Sequence, residues 1–212
     1  MTHNQVSYLL SGGKWYGLKK SFANEVNTAY ERILDYPKPF PDFDHDSEGA
    51  YLKWLVESDP KRFALMDRKN ISFGGGHSKV EFCDLFTKDS DIIHVKRYGQ
   101  STALSHLFAQ GVNSGELFQM EPRFRHETNR KLPTSHQLQN TLNRPKQDQF
   151  QVVFAIISDR PGPLRLPFFS KLNFKHAVRH LTGYGFRVAK VKIGVSQRLR
   201  KLVKYKTKAA NR

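Results

Sequence analysis

Three polar residues in two adjacent apolar segments have the types and the spacing of a reactive site. Asp84 lies in the first segment, and His94 and Lys96 lie near the end of the second. Residues 88–91 predict a tight turn, so the two segments would pair as an antiparallel hairpin and bring Asp84 beside His94 and Lys96. Because side chains alternate along a strand, His94 and Lys96 would share one face. These three groups, the predicted catalytic residues, could together bind a metal ion and a phosphate.

The metal ligands predicted from the sequence are Asp84, Glu81 and His94, and the predicted ion is Mg²⁺ or Mn²⁺. An imidazole ligand shifts the preference away from Mg²⁺, which favours oxygen ligands, and toward Mn²⁺ or another transition ion. Glu81 stands three positions before Asp84, and in a regular strand the two would point to opposite faces. Only a bulge or a twist would therefore bring both carboxylates to one site.

Two further carboxylates precede this segment and could complete such a site. Asp67 ends a short apolar stretch, and Glu57 lies in the helix predicted before it. Asp67 is explained equally well by an ion pair with Arg68 or by a turn cap. His94 and His106 offer an alternative, an acid–base pair that hydrolyses a phosphate ester without metal, because imidazole can donate or accept a proton near neutral pH.

The charge distribution favours a polyanionic partner. The 212 residues include 35 Lys and Arg against 19 Asp and Glu, a formal net charge of +16. Residues 1–67 carry 8 basic and 10 acidic side chains, so residues 68–212 carry 27 and 9, and the net charges are −2 and +18. A positive field attracts phosphate backbones without sequence preference. Nucleic acid is the predicted partner, with DNA favoured over RNA, and a homodimer or larger complex is compatible with the sequence.

Several side chains are predicted to contact the nucleic acid because they follow the motif or form a basic cluster. A helix that begins at Ser101 could receive a phosphate on its free N–H groups, and His106 and Gln110 share one face of that helix. Phe124, within the basic cluster, or Tyr205 could stack on a base, although a lone Phe beside a helix ordinarily packs against the core. The predicted nucleic-acid contacts are Arg97, Ser101, His106, Gln110, Arg123, Arg125, Arg130 and Lys131.

The elements that must position these residues follow from apolar periodicity. Residues 131–149, rich in Asn and Gln, predict a mobile loop, and Gly111 is predicted to end the helix before it. The pattern indicates an α/β (α+β) fold, a mixed central sheet with helices on both sides. Helices are predicted at residues 21–34, 47–58, 101–110, 121–130 and 170–183, and strands at residues 62–67, 79–87, 91–97, 150–158 and 186–193.

The length and composition indicate one main domain, because 212 residues with 38% apolar side chains can bury one core. The predicted division is an N-terminal helical extension at residues 1–60, an α/β core at 61–197 and a basic tail at 198–212. No segment approaches the roughly eighteen consecutive apolar residues of a membrane span, and the N-terminus lacks the pattern of a secretory signal. The expectation is a soluble, cytoplasmic protein without a membrane partner.

The predicted order of elements resembles the central core of the PD-(D/E)XK nuclease superfamily, with a helix, three strands, a helix, a strand, a helix and a strand. That superfamily has an acid on the second strand and an acid-x-lysine on the third, which match Asp84 and His94-Val95-Lys96 here. The resemblance implies phosphodiester hydrolysis by carboxylates that hold a divalent metal and a lysine beside the attacked phosphate. His94 replaces an acid of the pattern, which implies either a different metal or a loss of catalysis.

The chain also resembles a sporadically distributed bacterial family of unassigned function. The resemblance rests on EFCDLFTKDSDIIHVKR followed by STALSHLFAQG, within residues 81–111, and on PFFSKLNFKHAVRHLTGYGFRVAKVKI at residues 167–193. It implies no particular reaction, and a role in phage defence or mobile-element biology would fit it.

Three hypotheses about function follow from the sequence. The first is a nucleic-acid-binding, metal-dependent nuclease-like domain that hydrolyses phosphodiester bonds. The second is a non-catalytic nucleic-acid-binding module on a degenerate nuclease fold. The third is a protein–protein scaffold, for which salt-sensitive nucleic-acid binding would be absent.

Overall fold

A six-stranded sheet with helices on both faces forms the centre of the computed structural model, which describes residues 2–3, 6–11, 13–72, 79–99 and 101–201. In chain order the elements are β1 (Thr2–His3), β2 (Val6–Ser11), β3 (Lys14–Lys19), α1 (Lys20–Glu31), β4 (Leu34–Asp35), α2 (Glu48–Ser58), β5 (Phe63–Leu65), β6 (Ile71–Ser72), β7 (Lys79–Val80), β8 (Leu85–Thr87), β9 (Asp91–Arg97), α3 (Ser101–Met120), α4 (Pro122–Lys131), β10 (Gln151–Ile157), α5 (Phe168–Gly183) and β11 (Arg187–Ile193).

The central sheet is mostly parallel. Its strand order is β4-β11-β10-β9-β8-β5, in which the first four strands are parallel, β8 pairs antiparallel with β9, and β5 pairs antiparallel with β8. All seven residues of β10 are buried, as a central parallel strand requires when helices cover both faces. The predicted mixed α/β sheet is therefore confirmed. The strands predicted at residues 62–67, 79–87 and 91–97 form a meander, in which β5, β8 and β9 pair in succession.

Two apolar clusters hold the helices against the two faces of the sheet. On one face α2 packs through Leu52 and Leu55 against strand residues that include Ile93 and Val153. On the other face α3 and α5 pack on β10. The rings of α3 and α5 also stack on each other, with the Phe108 and Phe174 centroids 4.6 Å apart. The sheet is consequently the middle of three layers, and its edge at the end of β9 lies beside the start of α2.

The hairpin of β8 and β9 fixes the register on which the site depends. Residues 88–90 form the turn, as predicted, and Ser90 has a left-handed φ of 64°. Thr87 Oγ1 accepts the Asp91 N–H at 3.1 Å and donates to Asp91 Oδ2 at 3.1 Å. Tyr36 Oη also donates to Asp91 Oδ2, at 2.6 Å. These bonds close the turn and set β8 against β9 in a single alignment.

The prediction that Gly111 ends the third helix is wrong, because α3 continues to Met120. Gly111 lies where α3 crosses β10. A Cβ atom at this position would be only 2.6 Å from the Phe154 ring. The glycine is therefore needed for the close approach of helix and strand rather than for helix termination.

Several other predicted boundaries also differ from the structure. The single strand predicted at residues 79–87 is two strands, β7 and β8, separated by the irregular segment 81–84. Helix α5 begins at Phe168, two residues before its predicted start, so Ser170, whose residue type favours a helix cap, is instead buried within the helix. The run Gly74-Gly75-Gly76 predicts a turn, and these residues, like Tyr205, lie outside the described ranges.

Residues 1–60, predicted as a helical extension, also contain strands. β1, β2 and β3 form an antiparallel sheet of their own, and β4 is the edge strand of the central sheet beside β11.

Residues 131–149 are irregular apart from the last residue of α4 and a 3₁₀ turn at Thr134–His136, in agreement with the predicted loop. No helix in the described part of the chain is both long enough and apolar enough to cross a membrane.

We expect Gly111→Ala to lower the free energy of unfolding by about 1–2 kcal/mol, because the overlap with Phe154 outweighs the gain in helix propensity. Gly183→Ala is the matched control, since a Cβ at this last residue of α5 meets nothing within 4 Å. This control should be neutral or slightly stabilising. Urea unfolding of the two variants tests the difference, and equal effects would contradict the packing role of Gly111.

Candidate functional site

A cleft of about 480 Å³ lies between the start of α2, the segment before β8 and the end of β9. It combines acidic and basic side chains at one edge of the sheet. The acidic residues that line it are Glu48, Asp67, Glu81 and Asp84, and the basic residues are Arg68, Lys96 and Arg97. We call this space the acidic cleft.

Asp84 lies at the bottom of the acidic cleft and is held there by its own backbone. Its N–H donates to the Ile93 carbonyl at 3.0 Å, and its carbonyl accepts the N–H groups of Met66 and Asp67 at 2.9 and 3.0 Å. Asp84 Oδ2 accepts the Val95 N–H at 2.6 Å. The side chain is only 8% exposed. A carboxylate is thus buried where β8 and β9 separate.

The surroundings of Asp84 disfavour its charged form. Burial, opposed by the hydrogen bond from Val95 and assisted by the negative charges of Asp67, Glu81 and Glu48, raises the pKa of the Asp84 carboxyl to about 7. A cation near Asp84 would relieve this repulsion. Such a strongly shifted carboxyl in a cleft is typical of functional sites.

Glu48 connects the start of α2 to the end of β9. Its Oε2 accepts from Lys96 Nζ at 3.0 Å, and its Oε1 accepts the Arg97 N–H at 2.7 Å. Ser47 caps the helix, because its Oγ accepts the Ala50 N–H at 3.2 Å. Glu48 therefore lies in the first turn, with its carboxylate aimed at the lysine of the motif.

Of the acids in α2, Glu48 rather than Glu57 lines the acidic cleft. Glu57 pairs with Lys53 one turn away, at 3.8 Å on the exposed helix surface, and it does not line the acidic cleft. Glu48 was missed because an acid in the first turn of a helix is ordinary and indicates only a favourable interaction with the helix dipole. The only signal was its position directly after a capping serine.

Glu81 and Asp67 line the same cleft as Asp84. Residues 81–84 are not a regular strand, so the alternation that would have separated Glu81 from Asp84 does not apply. Glu81 Oε2 accepts from Gln110 Nε2 of α3 at 2.9 Å. Asp67 Oδ2 lies 3.8 Å from Arg68 Nε, and both side chains line the cleft. The irregular backbone of residues 81–84, rather than a bulge, therefore brings Glu81 and Asp84 to one cleft.

His94 does not belong to the acidic cleft, which corrects its prediction as a catalytic residue and metal ligand. The ring is fully buried and stacks on Phe154, with centroids 5.9 Å apart. Its Nε2 lies 3.4 Å from Ser114 Oγ of α3. Burial lowers the pKa of His94 to about 4, so the ring is neutral at neutral pH. The side chain packs under α3, whereas the Lys96 ammonium contacts Glu48.

Arg125 is a core residue, which corrects its prediction as a nucleic-acid contact, and Phe124 packs in the core, as a lone Phe beside a helix ordinarily does. Phe124 is fully buried, and Arg125 is 1% exposed. The Arg125 guanidinium donates to four backbone carbonyls and thereby ties α4 to the end of α3 and to the following loop. Those carbonyls belong to Phe118, Gln119, Thr141 and Leu142.

The other predicted contacts divide into two groups. Arg97 lines the acidic cleft, and Gln110 reaches it through Glu81. Of the remaining residues, Ser101 is the first residue of α3, His106, Arg123 and Arg130 are exposed, and Lys131 is half-buried at the end of α4. The structure therefore joins Asp84, Glu81, Lys96 and Arg97 in one site.

Oxygen ligands dominate the acidic cleft, so its donor type suits a hard divalent ion such as Mg²⁺ or Mn²⁺. With His94 outside the cleft, the reason for a shift toward Mn²⁺ disappears. Within the described ranges, no three His, Cys, Asp or Glu side chains already stand close enough together to hold a metal ion. Both Glu48 oxygens and Asp84 Oδ2 have hydrogen-bond donors instead.

Comparison with known proteins identifies a family but no function. A family model described as a family of unknown function, DUF6119, matches residues 1–194. The chain belongs to this family. The match agrees with the sequence-based assignment to a family of unassigned function. No curated protein and no solved structure matches the chain.

In this DUF6119 chain, Asp84 should make stability depend on pH. Because its pKa of about 7 when folded exceeds the ordinary 3.8, the folded state binds more protons between about pH 4 and 7. This contribution to stability is therefore fully present at low pH and is lost as the pH rises through 7. Asp84→Asn keeps an acceptor for the Val95 N–H and removes the charge.

We expect Asp84→Asn to be more stable than the natural chain by about 1–3 kcal/mol at pH 8, and the gain to vanish near pH 4. Chemical unfolding at the two pH values measures it. Asp148→Asn is the control, because Asp148 is exposed and its φ of 57° suits asparagine. A gain that is the same at both pH values would contradict the buried-charge explanation.

A structural role of Arg125 predicts that Arg125→Ala lowers the free energy of unfolding by about 3 kcal/mol, because its carbonyl partners lose their donor. Arg123→Ala, two positions earlier and exposed, should change it by less than about 0.5 kcal/mol. Urea unfolding of both variants provides the test. Equal small effects would return Arg125 to the set of candidate surface contacts.

Proposed function

We propose that the acidic cleft is the active site of a metal-dependent nuclease that hydrolyses phosphodiester bonds, with DNA as the favoured substrate. The observation that carries the proposal is the combination of Asp84, a buried carboxyl with a pKa of about 7, and the Lys96 ammonium bound to Glu48 in the same cleft. Carboxylates and a lysine at one edge of a sheet are the groups that phosphodiester hydrolysis needs.

The order of elements around the cleft supports the proposal. Helix α2, strands β5, β8 and β9, helix α3 and strand β10 follow the order of the PD-(D/E)XK pattern, although β6 and β7 are inserted between β5 and β8, and α4 between α3 and β10. Asp84 stands directly before the second of these strands, and Lys96 is near the end of the third. Where that pattern has an acid, this chain has His94 in the core. We propose that Glu48 of α2 and Glu81 supply the missing carboxylates.

A divalent ion, Mg²⁺ or Mn²⁺, would be held by Asp84 with Glu81 and Glu48. It would supply charge to polarise a phosphate oxygen and to lower the pKa of a bound water. The raised pKa of Asp84 fits this role, since it follows from burial and then from the neighbouring acids, and a cation beside Asp84 would offset both effects. Release of Glu48 from Lys96 would be required for Glu48 to serve as a ligand.

Lys96 and Arg97 would bind the substrate phosphate. The Lys96 ammonium is part-exposed beside the carboxylates, so a phosphate that enters the cleft can replace Glu48 as its partner. The net charge of +18 on residues 68–212 would attract the polyanion and raise its local concentration. In this arrangement Lys96 stabilises the charge that develops on the phosphate as its bond breaks.

A non-catalytic nucleic-acid-binding module is the second candidate, and one observation favours it. The carboxylates that would bind a metal are bonded within the protein, Glu48 to Lys96 and Arg97, and Asp84 to Val95. In such a module Lys96 and Arg97 would hold phosphate without hydrolysis. Binding would then be sensitive to salt and indifferent to divalent metal.

Cleavage of labelled duplex DNA, single-stranded DNA and RNA in Mg²⁺, Mn²⁺ or EDTA distinguishes the two candidates. We expect metal-dependent cleavage that Asp84→Asn and Lys96→Gln each reduce by at least about a hundredfold. Lys53→Gln should retain it, because Lys53 is exposed on α2 and does not line the cleft. Binding without cleavage in every metal would establish the module, and cleavage unaffected by both cleft variants would overturn the assignment of the site.

A further inference from the structure

A second cavity, of about 380 Å³, adjoins the acidic cleft and has no part in the proposed hydrolysis. It lies beyond the carboxyl ends of β9, β10 and β11, the edge at which open sheets with parallel strands commonly bind ligands. Arg97 lines both spaces. A ligand that extends out of the acidic cleft past Arg97 would therefore enter this second cavity.

The walls of the second cavity carry donors suited to an anion. Arg97 and Arg200 both line it, together with Ser158, which is buried, and the single acid Asp159. Arg200 Nε is buried and has no hydrogen-bond partner among the described residues. A buried guanidinium N–H without an acceptor costs free energy unless a ligand supplies one. A phosphate oxygen matches it, since guanidinium binds phosphate in a fixed planar geometry.

Arg200 is held in this position by local structure. Its N–H donates to the Ser196 carbonyl at 3.1 Å, in a helical turn at residues 197–201. Ser196 Oγ accepts the Leu199 N–H at 3.2 Å and donates to Asp44. The turn is thus capped by Ser196 and fastened to the loop before α2, the helix that carries Glu48. The Arg200 guanidinium therefore belongs to a turn that hydrogen bonds hold in place.

The Arg160 guanidinium adds positive charge at the same edge. It lies 4.3 Å from the centroid of the Tyr98 ring, and Tyr98 is a wall of the second cavity. Lys192 Nζ donates to the carbonyls of Arg160 and Gly162 in the segment that follows β10. Cationic groups therefore outnumber Asp159 around the cavity, and its field favours an anionic ligand.

We infer that the second cavity binds a backbone phosphate of a polynucleotide, next to the phosphate in the acidic cleft. The inference rests on the proposed function for the nature of the ligand. It adds to that function the requirement that the substrate contain more than one phosphodiester. Arg200 and Arg97 bind this phosphate, and Ser158 Oγ donates to it. The protein thus acts on an oligonucleotide or longer strand, which it engages at two successive positions.

The test is binding of a fluorescently labelled single-stranded oligonucleotide in EDTA, measured by anisotropy over a series of KCl concentrations. Arg200→Gln should weaken binding about tenfold and reduce the slope of log K against log salt by about 1. Arg200→Lys, which keeps the charge, should retain the slope. Arg187→Gln is the matched control, because Arg187 is exposed at the opposite end of β11, and it should change affinity less than about twofold.

Equal losses in Arg200→Gln and Arg187→Gln would overturn the inference, because any surface charge would then suffice. Unchanged binding in Arg200→Gln would overturn it too. Thermal melting of each variant shows whether a loss of binding affinity is caused by misfolding. If Arg200→Gln is misfolded, the affinity and salt slope of Arg200→Lys decide the outcome. Because EDTA prevents metal-dependent hydrolysis, the result is independent of cleavage. A chain that binds through Arg200 but never cleaves would refute the nuclease proposal and keep the phosphate subsite.

Discussion

The burial of Asp84 is the constraint on which the site depends. This one residue bonds to the backbone at Ile93, at Val95 and at residues 66–67, so it joins three strands where the sheet opens into the acidic cleft. The cost is a carboxyl whose charged form is disfavoured by burial and by neighbouring acids. Folding overcomes this cost because the two apolar clusters enclose the sheet on both faces. Binding sites commonly store strain of this kind and release it when a ligand of the right charge arrives.

Glu48 and Lys96 form an ion pair in the cleft that a ligand can break. Their ion pair is part-exposed, so water screens it and it contributes little to the stability of the fold. A phosphate would compete for Lys96, and a metal ion would compete for Glu48. Both kinds of ligand would separate the same pair. The ion pair therefore holds the Glu48 carboxylate and the Lys96 ammonium in position when no ligand is bound. Because the pair is weak, breaking it costs a ligand little binding free energy.

The central architecture followed from the sequence because apolar periodicity reports burial directly. The segment 91–97 was predicted with its observed bounds, and the turn at residues 88–91 gave the antiparallel pairing with β8. The site was predicted only in part. Asp84, Glu81 and Lys96 share a cleft, but His94 was assigned from strand alternation, hairpin pairing and the nuclease pattern, none of which distinguishes a face under a helix from a face toward solvent. Glu48 lies 48 positions before Lys96, and no local pattern encodes that contact.

Composition and local pattern alone determined the class of fold, the excess of basic charge and the identity of the polar residues in the motif. Tertiary structure decided which of those residues meet. The irregular segment before β8 turned Glu81 toward Asp84, the close crossing at Gly111 placed α3 over His94, and the packing of α2 brought Glu48 to Lys96. The physical reason is that burial and periodicity act over a few residues, whereas the meeting of side chains depends on how whole elements pack against each other.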